Sequence, residues 1–163
     1  MALPLSATEK FFWLYRSLRR HPIEFPNLKP MVLAQWAIES GWGSSALARE
    51  HNNFAGMKWR EIDGPYGTPF LYDAHDGRTA YTSFDNADKF IQAYWNRLDN
   101  TDMYAGWRGH VTRPEDFISY IAAPWVAGRW PHEPHDRNTR EYIAMIQTIY
   151  TMRTKSLDWR PET

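Results

Sequence analysis

The spacing of apolar residues changes twice along this chain, and that change limits the possible folds more than any other feature. Helical spacing holds up to about residue 53 and returns after residue 85. Between these positions glycine and proline separate short segments, and Asp76-Gly77 divides two runs of β-forming residues, as a tight hairpin turn does. The sequence therefore predicts an α+β fold that is mainly helical, with a small inserted β-hairpin lobe and a substrate cleft between the two parts.

Capping and helix-breaking residues predict where six helices begin and end. Ser6 opens a capping-box pattern before the first helix, and Gly41 follows the last apolar position of the second. The other predicted starts are Pro26, Ser44, Asp85 or Asn86, Thr112 and Asn138, and further predicted ends are Leu47 in the third helix and Pro124 in the fifth.

The chain has 163 residues, of which 43% are hydrophobic, so it is long enough to close one core and short for two ordinary domains. Residues 1–153 are predicted to form a single domain, and 154–163 a polar C-terminal tail. The 19 basic side chains are matched by 19 acidic ones, so no nucleic acid partner is expected. The absence of cysteine excludes a disulfide framework and a thiolate zinc site.

Aromatic residues make up 16% of a chain whose mean hydropathy is -0.64, and nine of them are tryptophans. Large rings fill the core of a small domain. Tryptophan rings also stack on the apolar faces of sugars, so a groove for a polysaccharide is the second interpretation. Composition alone leaves both open.

Glu39 is the residue with the strongest indication of chemistry. It stands in the last turn of the second predicted helix, between apolar neighbours and before Gly41-Trp42-Gly43. Apolar surroundings and the partial negative charge of a helix C-terminus both favour the neutral carboxyl, which is the form that a general acid needs at neutral pH. An ordinary solvated glutamate is the alternative.

Two blocks of sequence resemble a known family. Residues 35–48 read QWAIESGWGSSALA, and residues 52–58 read NNFAGMK. In this order and spacing they resemble the signature of bacterial N-acetylglucosaminidases of glycoside hydrolase family 73, over about residues 6–150. The resemblance implies a lysozyme-like α+β fold and hydrolysis of the β-1,4 bond between N-acetylglucosamine and N-acetylmuramic acid in peptidoglycan, with no cofactor and no metal.

The resemblance also implies roles for individual residues. Glu39 matches the proton donor, and Trp42 would form a wall of the site. Asn53 would lie near the sugar, or would cap a turn. The second carboxylate of such enzymes lies on the hairpin, and Asp73 takes its place here although the family more often has glutamate. Glu61 is another candidate for this role, and a third route uses the acetamido group of the substrate instead of a second carboxylate. Asp76 is interpreted as the turn residue.

Three aromatic residues are further candidates for substrate binding. Tyr81 matches the aromatic residue that leads into the family's post-hairpin helix, where packing and binding are equally plausible. The C-terminal run Gly-Tyr-Ala-Thr-Asp-Pro of the family is replaced here by Gly-Arg-Trp-Pro-His-Glu-Pro. Trp130 would then supply a ring to the groove, and Tyr142 matches the later tyrosine of the family.

Several alternatives share these residues. A muramidase or lytic transglycosylase of the same fold would also use Glu39, and a non-catalytic wall-binding module would keep the groove without turnover. The cluster at residues 132–136 contains two histidines and two acidic residues, but its prolines favour a solvated loop over a metal site.

The first residues, Met1 to Ser6, have no basic start and precede no long apolar run, so neither a secretory signal nor a membrane span is predicted. Action in the periplasm or cell wall would then require delivery. The expected roles are a phage endolysin that follows a holin or an antibacterial effector from a secretion machine with an immunity protein, although an autolysin with a trimmed leader also fits.

Overall fold

The computed structural model describes residues 2–74 and 77–161. Within these residues six α-helices and one antiparallel pair of strands form in the order that the sequence predicts. Asp76, the predicted turn residue, lies outside the described residues. The helices are α1 Glu9–Arg20, α2 Lys29–Ser40, α3 Ala46–His51, α4 Ala87–Asp99, α5 Pro114–Ala127 and α6 Arg137–Met152, and the strands are β1 Gly67–Ala74 and β2 Gly77–Phe84.

Helix α2 lies in the centre of the helical body. It is apolar on almost every side, and each residue from Met31 to Ala37 is buried. It packs against α1, α5 and α6, while the ring of Trp36 lies edge-on between Phe90 and Tyr94 of α4, with centroid distances of 4.9 and 5.1 Å. A helix that is apolar all round requires such burial. In the described part of the chain, no helix combines the length and the apolar content that a bilayer crossing needs.

The hairpin is attached to the body through the segment that follows α3. Strands β1 and β2 pair in register from Gly67 opposite Phe84 to Ala74 opposite Gly77. On its other side β2 bonds to the incoming chain, because Trp59 N–H donates to Ala80 O at 3.0 Å and Thr82 N–H donates to Met57 O at 3.1 Å. The loop before Met57 is therefore fixed relative to the hairpin.

A buried ion pair joins the hairpin to α4. Arg97 Nη2 lies 2.6 Å from Asp63 Oδ2, and both side chains are almost completely removed from solvent. The same carboxylate oxygen accepts a hydrogen bond from Thr82 Oγ1 at 2.8 Å, and Arg97 donates to Lys58 O at 2.8 Å. Buried charges persist only when they are paired and hydrogen-bonded in this way. No local pattern in the sequence indicates this pair, because its two residues lie 34 positions apart.

Three helices begin at caps other than those predicted. In each, a side-chain oxygen accepts a hydrogen bond from the backbone N–H three residues further on. The predicted caps Ser6, Ser44 and Asn138 were wrong. Residues of similar capping strength stand close together at each of these helix starts, and the sequence does not distinguish between them. The observed caps are Thr8 for α1, Ser45 for α3 and Asp136 for α6.

Helix α5 continues past Pro124, which was wrongly predicted to end it. The helix begins at Pro114 without a side-chain cap, so the predicted start and capping box at Thr112 were wrong. It runs to Ala127, and Gly128 ends it in the left-handed conformation. A proline inside a helix removes one backbone donor. Here the carbonyl of Pro124 still accepts from Gly128 N–H at 3.2 Å, so the last turn closes normally.

The C-terminal residues 154–161, which belong to the predicted polar tail at 154–163, pack against the body. Leu157 is buried, and Thr154 Oγ1 donates to Pro30 O at 2.6 Å. The ring of Trp159 lies edge-on to Tyr15 of α1 at 5.2 Å. The two apolar residues at this end supply contacts that the polar composition of the segment concealed.

We predict that replacing Arg97 with methionine destabilises the fold by about 3–5 kcal/mol, because Asp63 is then left buried without its partner. The matched control is Arg137→Met, which removes an exposed i,i+4 pair with Glu141 and should change stability by about 0.5 kcal/mol or less. Urea unfolding of both variants measures the difference. Equal effects would contradict the structural role of the buried pair.

Candidate active site

Glu39 lies in the last turn of α2 and is only partly exposed. The helix ends at Gly41, and the corner that follows has three successive residues with positive φ, at +56° for Gly41, +56° for Trp42 and +84° for Gly43. Ser40 Oγ holds this corner by accepting from Gly43 N–H at 2.9 Å. A non-glycine residue in this conformation is strained, and such strain is often found at functional sites.

The loop after α3 forms the second side of the site. Asn53 is buried, and its Nδ2 donates to Met57 O at 3.0 Å and to Thr82 O at 2.9 Å. Its Oδ1 accepts from Met57 N–H at 2.9 Å and from Ala55 N–H at 3.4 Å. All four positions of the amide are therefore occupied by backbone groups. These contacts belong to the turn-capping role, the second of the two roles that the sequence left open for Asn53.

The loop that Asn53 fixes brings Gly56 against the candidate acid. Gly56 has a φ of +63°, and a Cβ atom placed on it would lie 3.6 Å from Glu39 Oε2. The backbone at Gly56 therefore lies close to the Glu39 carboxyl group. Any side chain at position 56 would begin to fill the space beside that group. The two sequence blocks of the resemblance meet at this point, although α3 lies between Glu39 and Gly56 in the chain.

Helix α6 contributes Tyr142, which is buried. Its hydroxyl lies beside the Glu39 carboxyl and lowers the pKa of that group. The same hydroxyl accepts from Gln35 Nε2 at 3.0 Å, and Gln35 Oε1 accepts from the hydroxyl of Tyr94 at 2.6 Å. Gln35 stands one helical turn before Glu39 on α2, so the two side chains share a face. No pattern in the sequence indicated a role for Gln35, and the spacing placed Tyr94 only on an apolar helix face.

Burial and hydrogen bonding act on Glu39 in opposite directions. Burial raises the pKa of the Glu39 carboxyl, and this is the larger influence, while the Tyr142 hydroxyl lowers it. Removal from water disfavours the charged form, and a donor to the carboxylate favours it. The larger influence acts in the direction expected for a carboxyl group among apolar neighbours.

The remaining predicted binding residues lie in different surroundings. Trp42 is half-buried and packs edge-on to Phe11 at 5.3 Å. Tyr81 is 9% exposed and contacts Tyr72 across the hairpin at 5.7 Å. Trp130 is 43% exposed in the segment after α5. Direct contact of these rings with a sugar stays a prediction.

Neither candidate for the second carboxylate lies in a buried position. The side chain of Asp73 is 83% exposed and lies 3.4 Å from Arg78, its partner across the hairpin. Glu61 is exposed in a short 3-10 turn. The choice between these two residues stays a prediction.

The cluster at residues 132–136 has other partners. Glu133 pairs with Arg129 at 3.1 Å, and Asp136 caps α6 by accepting from Thr139 N–H at 2.7 Å. No group of three or more potential metal ligands gathers anywhere in residues 2–74 and 77–161.

A separate cavity of about 300 Å³ lies between α4 and the segment before α2. It is lined by Phe25, Trp95 and Arg108 among others. Ten residues of α2 separate this end of the helix from Glu39, about 15 Å along the axis. The cavity is therefore distinct from the surroundings of Glu39.

The chain is similar to known proteins over most of its length. A family model described as mannosyl-glycoprotein endo-beta-N-acetylglucosaminidase, the glucosaminidase family, matches residues 26–152. The chain belongs to the glucosaminidase family. This glucosaminidase is therefore a glycoside hydrolase, and the resemblance found in the sequence is confirmed. The match covers α2, the loop at Gly56, the hairpin and α6, and so it includes Glu39, Gly56 and Tyr142.

Two individual proteins are also similar to this chain. The glucosaminidase is 32% identical over 78 residues to the protein bax of Escherichia coli, a match that covers 48% of this chain and 26% of that protein. It therefore spans about a quarter of that relative's length. The catalytic domain of the autolysin Auto from Listeria monocytogenes has a similar fold, with a TM-score of 0.58 at 14% identity over 93% of this chain and 88% of that one. The lysozyme-like α+β fold is confirmed.

We predict that Gly56→Ala lowers kcat/KM by about tenfold or more, because the added methyl group occupies space beside Glu39 Oε2 that a bound sugar would need. Gly128→Ala is the matched control, since Gly128 has a φ of +62° and its Cβ would meet no atom within 4 Å. Both variants should lose about 1–2 kcal/mol of stability through backbone strain. Equal kcat/KM values for the two would contradict the placement of Gly56 at the site.

Proposed function

We propose that this glucosaminidase hydrolyses peptidoglycan at the β-1,4 bond between N-acetylglucosamine and N-acetylmuramic acid, with Glu39 as the general acid. The observation that carries the proposal is the raised pKa of a partly buried carboxyl at the meeting point of the two family blocks. Family membership supports the type of bond, and the fold shared with an autolysin catalytic domain supports cell wall as the material.

In the proposed reaction Glu39 gives its proton to the glycosidic oxygen as the bond to the anomeric carbon breaks. The proton must be present at working pH, and burial favours this by raising the pKa. The resulting carboxylate then lies beside the Tyr142 hydroxyl, which donates a hydrogen bond to it. Activity therefore decreases as the pH rises through the pKa of Glu39.

The second role belongs to Asp73 in our proposal. Asp73 pairs across the hairpin with Arg78. Arg78 lies four residues along β2 from Thr82, where the hairpin joins the body, so these two positions are about 13 Å apart. The side chain of Asp73 is 83% exposed. We propose that it polarises water or stabilises positive charge on the sugar.

We propose the periplasm or cell wall as the place of action, because that is where peptidoglycan lies. A phage endolysin and an antibacterial effector are the two roles that we favour. A holin gene or an immunity gene beside the coding sequence would distinguish them.

We predict that Glu39→Gln lowers turnover of purified peptidoglycan by about 10²- to 10⁴-fold, the usual contribution of a general acid. The exposed Glu50→Gln is the control and should keep parental activity. A zymogram and loss of turbidity measure the rates. If the parent and Glu39→Gln both bind wall and neither clears it, the protein is a binding module and the proposal is wrong.

Product analysis tests the bond. Mass spectrometry of the digest should find N-acetylglucosamine at the new reducing ends. Muramic acid at the reducing ends would indicate a muramidase, and anhydromuramic products would indicate a lytic transglycosylase. Either of these results would overturn the proposed bond while leaving the role of Glu39 intact.

We predict that Asp73→Asn lowers kcat by about 100-fold, because the amide keeps the shape and loses the charge. Glu61→Gln should leave kcat close to the parental value. Initial rates on soluble peptidoglycan fragments measure both. A parental rate for Asp73→Asn would instead favour assistance by the acetamido group of the substrate.

A further inference from the structure

Three buried polar side chains from three different helices form a chain of hydrogen bonds that leads to the hydroxyl of Tyr142, beside Glu39. Tyr94 of α4 bonds to Gln35 of α2 at 2.6 Å, and Gln35 bonds to Tyr142 of α6 at 3.0 Å. The hydroxyl of Tyr142 acts on the Glu39 carboxyl and lowers its pKa. Gln35 and Tyr94 are fully removed from solvent. A buried hydroxyl or amide without a partner costs about 1–3 kcal/mol, so these groups depend on one another.

The chemistry of the amide gives this chain a direction. The oxygen of Gln35 only accepts and its nitrogen only donates. The contact of 2.6 Å is typical of O–H···O geometry, and the contact of 3.0 Å is typical of N–H···O. Tyr94 therefore donates to Gln35 Oε1, and Gln35 Nε2 donates to the oxygen of Tyr142. The proton of Tyr142 is not used by Gln35 and is left to point at Glu39.

The packing of Tyr94 holds the start of the chain. Its ring lies 5.1 Å from Trp36, 5.1 Å from Trp95 and 5.2 Å from Trp125. With aromatic rings around it, the ring cannot swing away, and its hydroxyl stays aimed at Gln35 Oε1. Both tyrosines have a pKa well above the ordinary value because they are buried, so each keeps its proton and acts as a donor.

We propose that Gln35 and Tyr94 are positioning residues that orient the hydroxyl of Tyr142 as a hydrogen-bond donor to the Glu39 carboxylate. This inference rests on the proposed function and extends it to residues that do not touch the substrate. When Glu39 releases its proton, the carboxylate forms in a partly desolvated place. A donor already aimed at it stabilises that charge as it develops. The proton of Tyr142 is shared in a hydrogen bond and is not transferred.

Two opposed influences then set the proton affinity of Glu39. Burial favours the neutral acid before the reaction, and the oriented hydroxyl favours the carboxylate after it. The titratable groups that face Glu39 from the packed helices are Tyr142 of α6 and Tyr94 of α4. Without Tyr94, the Gln35 amide is free to turn over and accept the proton of Tyr142, and Glu39 loses its donor.

The test uses Tyr94→Phe, which keeps the ring and removes only the hydroxyl. We expect the pKa of Glu39 to rise, the alkaline limb of kcat/KM to move to higher pH, and kcat to fall by about 3- to 10-fold, the effect of one hydrogen bond. Carbon-13 NMR of the Glu39 carboxyl measures the pKa without any turnover. Tyr150→Phe is the control, because Tyr150 is a buried tyrosine on α6 two turns beyond Tyr142, and it should change none of these values.

A double-variant cycle separates positioning from general loosening of the core. Tyr142→Phe should raise the pKa of Glu39 by itself, and adding Tyr94→Phe to it should have no further effect. An equal shift from Tyr94→Phe with and without the Tyr142 hydroxyl would overturn the proposal, as would no shift in the single variant. If Glu39→Gln stays active while the NMR shift is present, the proposed function fails and the orientation of Tyr142 stands.

Discussion

Burial of α2 on all sides holds Glu39 in place and partly removes it from water. The helix packs against α1, α5 and α6, and Trp36 is fixed against α4, so its C-terminal turn has little freedom to move. The corner at Gly41 then turns the chain away and leaves the carboxyl group at the edge of the body. A glutamate with the same sequence neighbours on an exposed surface helix would have an ordinary proton affinity. The difference comes from the burial of α2.

The rest of the fold completes the site from that fixed point. The side-chain amide of Asn53 is hydrogen-bonded to the loop that brings Gly56 to the Glu39 carboxyl group. It also bonds to Thr82 O of β2, which fixes the loop to the hairpin. The buried pair of Asp63 and Arg97 fastens the hairpin to α4. Helix α6 adds Tyr142.

The sequence predicted the order of the helices and the hairpin, because the periods of 3.6 and 2 residues are local signals. It also predicted the desolvation of Glu39 from its apolar neighbours. Capping residues were less certain, since adjacent candidates such as Ser44 and Ser45 differ only in backbone geometry. The partners of Gln35 lie 59 and 107 residues away, and the separation of Asp63 from Arg97 is 34. Contacts of this kind depend on how helices pack, and one sequence has no local pattern that predicts them.

The central claim is that burial keeps a proton on Glu39 that a solvated glutamate would have lost. A carbon-13 NMR titration of the parent protein, with the Glu39 signal assigned by its absence in Glu39→Gln, tests this directly. We expect Glu39 to titrate above the ordinary glutamate value of 4.5. A titration of Glu39 at or below that value would contradict the central claim.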